Sequence, residues 1–248
     1  MEPSHEQEGL LLDVETKNSV IWRVRSGFYT CDEIVTTAAE SITDETLGIT
    51  SQRAKRAVRL VVAAEWVAQL GRQQAWPPEP TVSDKLAKAF NSLERNHKIL
   101  ARMNFTCCQT CGVEEISDDR DDDSRGYVFF HEQDTECVIS GGDLPLAFGS
   151  FTKSEKKTRD VGDIIVRSLR RAGLRVEWKQ DTGRRIMVHC SEWRRRFEED
   201  EDMEDVGDDD FDSDCMTGSE SELEPEPEPD TDSDLDLGDA LDTTGQLV

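Results

Sequence analysis

The chain has 248 residues and a formal net charge of -25, but residues 197–248 hold 23 Asp or Glu and no Lys or Arg, which leaves residues 1–196 at -2. The acidity therefore belongs to the C-terminal stretch. The opening MEPSHEQEGLLLDVETKN has no basic start and no long apolar run, and residues 54–70 are interrupted by Lys55, Arg56, Arg59 and Glu65, so neither a targeting peptide nor a membrane span is expected.

In chain order, the first helix is expected from Thr30, where Thr30 and Glu33 form a capping box, Tyr29 staples onto Ile34, and Ile34, Ala38 and Ile42 share a face. Ser51 caps the longest helix. Its Ala54, Ala57, Val58, Val61, Trp66 and Ala68 make a wide apolar surface, which marks it as the central packing helix. WPPEP at 76–80 breaks the chain, and Ser83 caps a third helix with Leu86, Phe90 and Leu93 inward. Short strands are predicted at 99–105, 127–131 and, after the Gly141-Gly142 turn, 144–151. Asp160 opens a further helix through Ala172, with Val161, Ile164, Ile165 and Leu169 inward and Gly173 as its stop. A hairpin follows, in which Leu174, Val176 and Trp178, then Ile186 and Val188, alternate with polar residues about a QDTG turn.

Helices first and strands later predict an α+β fold: N-terminal helices packed on a small, mostly antiparallel sheet with one further helix. The expected organisation is a flexible N-terminus at 1–19, one α+β domain at 20–196, and a compositionally biased, disordered acidic tail at 197–248. EEDEDMEDVGDDD and EPEPEPDTDSDLDLGD carry too little apolar surface to offset the entropy of ordering them.

Seven cysteines include the crowded Cys107, Cys108 and Cys111. That is no disulfide framework, so a reducing, cytoplasmic setting is expected. Cys108-Gln-Thr-Cys111-Gly has the shape of a zinc knuckle. Further ligands would come from Cys107, His131, His189 or Cys190, but no second knuckle occurs. The same residues fit a helix start with Thr106 as N-cap and Gln109 completing a capping box, where the helix dipole would activate a thiol. Thioredoxin-like chemistry would also want a βαβ context, which the predicted elements do not offer. The preferred expectation is buried, inert cysteines.

His131, Glu132, Asp134 and Glu136 put an imidazole and three carboxylates at a strand end, enough in principle for metal-assisted hydrolysis. The simpler expectation has Asp134 capping a short helix and His131 bonded within the sheet. The DDRDDDSR loop at 118–125 has Ser124 where an EF-hand needs glycine and is expected to be solvated.

Residues 153–196 carry 14 Lys or Arg against 6 Asp or Glu. Arg167, Arg170 and Arg171 on the last helix and Arg194, Arg195 and Arg196 at the domain's end form a candidate basic patch, either a solvated face or a dock for the acidic tail. Because the tail would compete for it, nucleic acid is not expected as a ligand of the full-length chain. Ser219, Ser221, Thr231 and Ser233 each precede an acid by three residues and are candidate phosphosites.

FYTCDEI, NFTCCQTCG at 104–112, GYVFFHEQDTE at 126–136 and AGLRVEWK at 172–179 together resemble a family of domains of unknown function, seen mainly in bacterial sequences. The resemblance spans about residues 20–196 and implies a single domain; it brings no activity with it. Two functional expectations result. The first is a non-catalytic interaction or regulatory domain whose tail solubilises, autoinhibits or binds a basic protein partner. The second is a metal-binding or thiol-dependent enzyme centred on Cys107, Cys108, Cys111 and His131, with zinc as the candidate metal.

Overall fold

A computed structural model describes residues 12–43 and 49–197. Their elements are helices α1 (Val14–Ser26), α2 (Cys31–Ile42), α3 (Ser51–Gln74) and α4 (Val82–His97), strand β1 (Ile99–Arg102), α5 (Gln109–Asp118), β2 (Gly126–Phe129), α6 (Glu132–Ile139), β3 (Leu144–Ser150), α7 (Glu155–Arg171), β4 (Val176–Glu177) and β5 (Ile186–Val188). The protein is thus α+β, with seven helices among the described residues and a five-stranded, mostly antiparallel sheet. None of these helices is long and apolar enough to cross a membrane.

The first three helices build one core. Asp13 caps α1 by accepting from the Thr16 N–H at 2.6 Å, and Gly27 stops it at φ 73°. No element was expected before Thr30, because α1 has a weak pattern: its buried side chains are Thr16, Val20, Trp22, Val24 and Ser26, two of them polar. The Thr30–Glu33 capping box forms as expected. Helix α3 starts one residue after its cap, Thr50, and buries Ala54, Ala57, Val58 and Val62 against Val20, Val24, Ile34 and Ala38. Small alanines let these helix backbones approach closely. Ala68 is exposed and Trp66 only partly covered, so α3 packs on helices and is not the centre of the fold.

That role falls to α4 and α7, whose Leu86, Phe90, Leu93, Ile165 and Leu169 cover one face of the sheet. Each such side chain stabilises by roughly 1.5–3 kcal/mol on burial. The cap of α4 is Thr81 with Asp84, not Ser83, which is buried. Helix α7 begins at Glu155 behind Ser154, earlier than Asp160, because its first residues are polar and carry no apolar period. It ends as expected: Gly173 N–H donates to Arg170 O and Leu174 N–H to Leu169 O, a Schellman stop with Gly173 at φ 83°.

The sheet order is β1-β2-β3-β5-β4. β3 pairs antiparallel with β2 and β5, and β4 with β5, in the register Leu144↔Val188 and Val176↔Val188. β1 and β2 are parallel, Ile99↔Gly126, and α5 is the crossover between them. The cysteine segment therefore lies in a βαβ unit, contrary to expectation. Alternation sorts the faces: Ile99, Val128, Leu144 and Leu146 meet α4 and α7, while Leu100, Tyr127, Phe129 and Ala147 join Ile116 and Val113 of α5.

The chain end returns to the helices. Trp193 Nε1–H donates to Ser26 O at 3.0 Å, and Phe197 stacks on Trp66 with ring centroids 4.2 Å apart.

Candidate thiol site

β1 carries the chain to the end of the sheet, and residues 103–108 turn it into α5. The turn is anchored by Phe105 N–H donating to Phe130 O at 2.8 Å and Glu132 N–H to Thr106 O at 3.1 Å. Asn104 and Thr106 sit at φ 50° and 57°, a left-handed conformation that side chains other than glycine resist. Tethers sustain it. Asn104 Nδ2 donates to the Tyr29 hydroxyl at 2.9 Å and Thr135 Oγ1 donates to Asn104 Oδ1 at 2.7 Å. With Thr106 left-handed, the expected Thr106–Gln109 capping box does not form; Cys108 is the N-cap of α5.

Helix α5 is seated by Gly112, where an added Cβ would lie 2.5 Å from Cε2 of Phe129. The first turn thus holds Cys111 beside Cys108. The Cys108 and Cys111 sulfurs are 3.6 Å apart, those of Cys107 and Cys111 3.7 Å, and all three lie within 4.8 Å of one another. Cys107 is exposed and the other two are half-buried, so these cysteines are not buried as expected. The backbone N–H of Cys111, then its side chain and the Thr110 N–H, hold the Cys108 thiol below its ordinary pKa. Hydrogen bonds shared with the Cys108 and Cys107 sulfurs push Cys111 up to about 11. The hydrogen bonds that the two sulfurs share thus shift Cys108 and Cys111 in opposite directions. Cys107 also lines a groove of about 830 Å³ together with Trp22, Arg23, Glu132 and Glu136.

His131 does not belong to the sulfur cluster. It caps α6: its N–H donates to Asp134 Oδ2 at 3.1 Å, and its Nδ1 accepts from the Asp134 N–H at 3.3 Å. Its Nε2 lies 3.1 Å from Asp134 Oδ2. Its Nε2 also lies 3.1 Å from Nη2 of Arg185, and burial lowers the ring's pKa despite the Asp134 carboxylate. Arg185 connects this cap to the thiol helix, donating to Asp134 Oδ1 at 2.7 Å and to Gln109 Oε1 at 2.8 Å. Sequence alternation marks Arg185 only as outward-facing and gives no hint of this bridge. His189 and Cys190 lie outside the cluster: His189 Nδ1 is 2.8 Å from Asp143 Oδ2, and the Cys190 backbone N–H donates to Asp143 Oδ1 at 3.1 Å. Burial raises the Cys31 thiol to about 11 and raises Cys190 as well.

The terminal arginines each have a separate partner. Arg194 pairs with Glu192 at 2.5 Å. Arg195 donates to Gly27 O at 2.9 Å and stands 4.5 Å above the Phe28 ring. Arg196 donates to Pro77 O at 2.6 Å and Asp84 at 3.2 Å. Arg167, Arg170 and Arg171 are exposed on α7. Ser219, Ser221, Thr231 and Ser233 lie outside the described residues, as does the acidic stretch from 198.

The fold and the site define a class: an α+β domain with a three-cysteine cluster at the head of a parallel βαβ crossover. The chain belongs to the family described as Domain of unknown function (DUF6891), whose model matches residues 12–197. No curated protein and no solved structure matches it. The matched span begins just before α1 and ends at Phe197. Three of the motifs that carried the resemblance meet in space, since Tyr29, Asn104 and Thr135 come from FYTCDEI, NFTCCQTCG and GYVFFHEQDTE.

Proposed function

We propose that this domain binds a thiophilic metal ion, zinc first among them, through Cys107, Cys108 and Cys111. The observation that carries the reading is the sulfur spacing. Zinc–sulfur bonds of about 2.3 Å at tetrahedral angles separate ligand sulfurs by about 3.8 Å, against 3.6 and 3.7 Å here. The open side of α5's first turn also favours thiolates over thiols. Among the described residues no fourth ligand atom joins the cluster, so one position remains for a group from outside it. Three protein ligands with one open position characterise catalytic zinc sites, whereas structural sites are closed.

A binding or regulatory role is favoured over hydrolysis because His131, the natural base, has both ring nitrogens engaged within the protein. This merges the two expectations into a metal-organised interaction domain. A basic protein partner for the acidic stretch remains part of the proposal, as does autoinhibition, for which Arg194, Arg195 and Arg196 would have to exchange the partners they hold in the body.

The test is elemental analysis and cobalt titration of the reduced full-length protein. Equimolar metal and a sulfur-to-cobalt charge-transfer band are expected, both lost in Cys108→Ser and Cys111→Ser and kept in Cys190→Ser. Failure of the wild type to take up metal, or retention by the two serine variants, overturns the reading.

A further inference from the structure

We infer that Cys108 and Cys111 also exchange with low-molecular-weight disulfides, cycling between a dithiol and an internal disulfide. This activity uses the same sulfurs as the proposed metal site but does not depend on a metal being held there.

The geometry is that of a pair ready to close. The two sulfurs are 3.6 Å apart, so a disulfide bond of about 2.05 Å requires them to close by only about 1.5 Å. The backbone on either side of the pair is held, Gly112 seated on Phe129 and Thr106 Oγ1 donating to Cys108 O at 3.0 Å. The pair spans the N-cap and first turn of α5, beyond the carboxyl end of β1 in a parallel βαβ unit, the place where α/β sheets present groups to ligands. Cys108 and Cys111 are half-buried beside Cys107, which is exposed and lines the groove of about 830 Å³. Cys190, by contrast, is buried.

The chemistry balances within the two partners. The Cys108 thiolate attacks one sulfur of the incoming disulfide, breaking its S–S bond and releasing one thiolate. Cys111 gives its proton to solvent and attacks the Cys108 sulfur, releasing the second thiolate and closing the internal disulfide. The cysteines lose two electrons, which the substrate gains. Reduction by excess small thiol runs the same steps in reverse.

The experiment uses reduced, chelator-treated full-length protein with glutathione disulfide, peptide mapping by mass spectrometry, and zinc uptake measured on the same batch. A Cys108–Cys111 disulfide is expected in the wild type, and a stable glutathione adduct on Cys108 in Cys111→Ser. A persistent adduct on the wild type, a Cys107–Cys111 disulfide, or modification confined to Cys107 or Cys137 overturns the inference. Normal zinc uptake with any of these outcomes leaves the metal reading standing; the expected disulfide without zinc uptake removes the metal reading alone.

Discussion

Two short runs of like residues, Cys107–Cys111 and Arg194–Arg196, stood out equally in the sequence, and the fold treats them in opposite ways. The cysteines converge, with sulfurs 3.6 and 3.7 Å apart. The arginines diverge, each to a separate acceptor: Glu192, Gly27 O and Pro77 O. Like charges repel when brought together in low dielectric, so an arginine run spreads to individual partners. Thiols can share a proton or an ion, so a cysteine run can close on itself. A cluster in sequence is a site only where its side chains meet with bonding capacity left over.

The largest test of this contrast is metal-linked stability. Zinc at about one hundred times its Kd should stabilise the protein by about 2.7 kcal/mol, seen as a rise in melting temperature. Cys111→Ser should abolish the rise and Arg195→Ala should keep it. A wild type indifferent to zinc breaks the comparison.

Gly112→Ala separates helix propensity from packing. Alanine should gain up to about 1 kcal/mol as a helix former, but its Cβ would lie 2.5 Å from the Phe129 ring, and overpacking costs about 1–3 kcal/mol. Net destabilisation in urea, with weakened zinc uptake, is expected. Unchanged metal affinity would show that the seating of α5 does not set the sulfur spacing.

Arg195→Ala removes a charged hydrogen bond to Gly27 O and the contact over Phe28. For this half-exposed side chain a loss of about 1–2 kcal/mol is expected, with metal content unchanged. Weaker heparin binding at unaltered stability would instead restore the run as a docking surface.

His131 provides a pH test. Burial holds its folded pKa below the ordinary 6.5, so between those two values the unfolded state binds more protons and stability rises with pH. The contribution is complete above the unfolded value and is lost as pH falls from there toward the folded value. Urea midpoints of wild type and His131→Asn, which keeps a cap-forming side chain, should diverge in that window. Parallel curves would mean that the ring does not titrate differently on folding.

The smallest stability effect belongs to Arg167, Arg170 and Arg171. Reversing all three to Glu should change stability by only about 0.5 kcal/mol per site or less, while polyanion binding at low salt falls. A large loss of stability would trace to Arg170, whose Nη2 donates to Val176 O at 3.2 Å.

Much of the fold was legible in the chain. The Thr30–Glu33 box, the inward Leu86, Phe90 and Leu93, the Gly173 stop and the 174–188 hairpin are all present. Helix α1 was not legible, because its polar Thr16 and Ser26 are buried by neighbours and not by an apolar stripe of its own. For the site, the three cysteines were legible as a group, but the exclusion of His131 was not. Its position at a strand end fits a ligand as well as a cap, and only the contacts of Asp134 and Arg185 decide between them.

By itself the sequence determined what acts over a few residues: caps, turn residues, apolar periods and strand alternation, each set by hydrogen bonds or side-chain spacing within one or two turns. Tertiary structure decided the rest. Whether β1 and β2 run parallel, and so place Cys108 at the head of a crossover helix, depends on pairing across more than twenty residues. The same holds for Arg185 reaching Gln109 and for Arg195 reaching Gly27. Such contacts form only once separate apolar faces have buried one another, and no local pattern encodes which distant partner a polar side chain then meets.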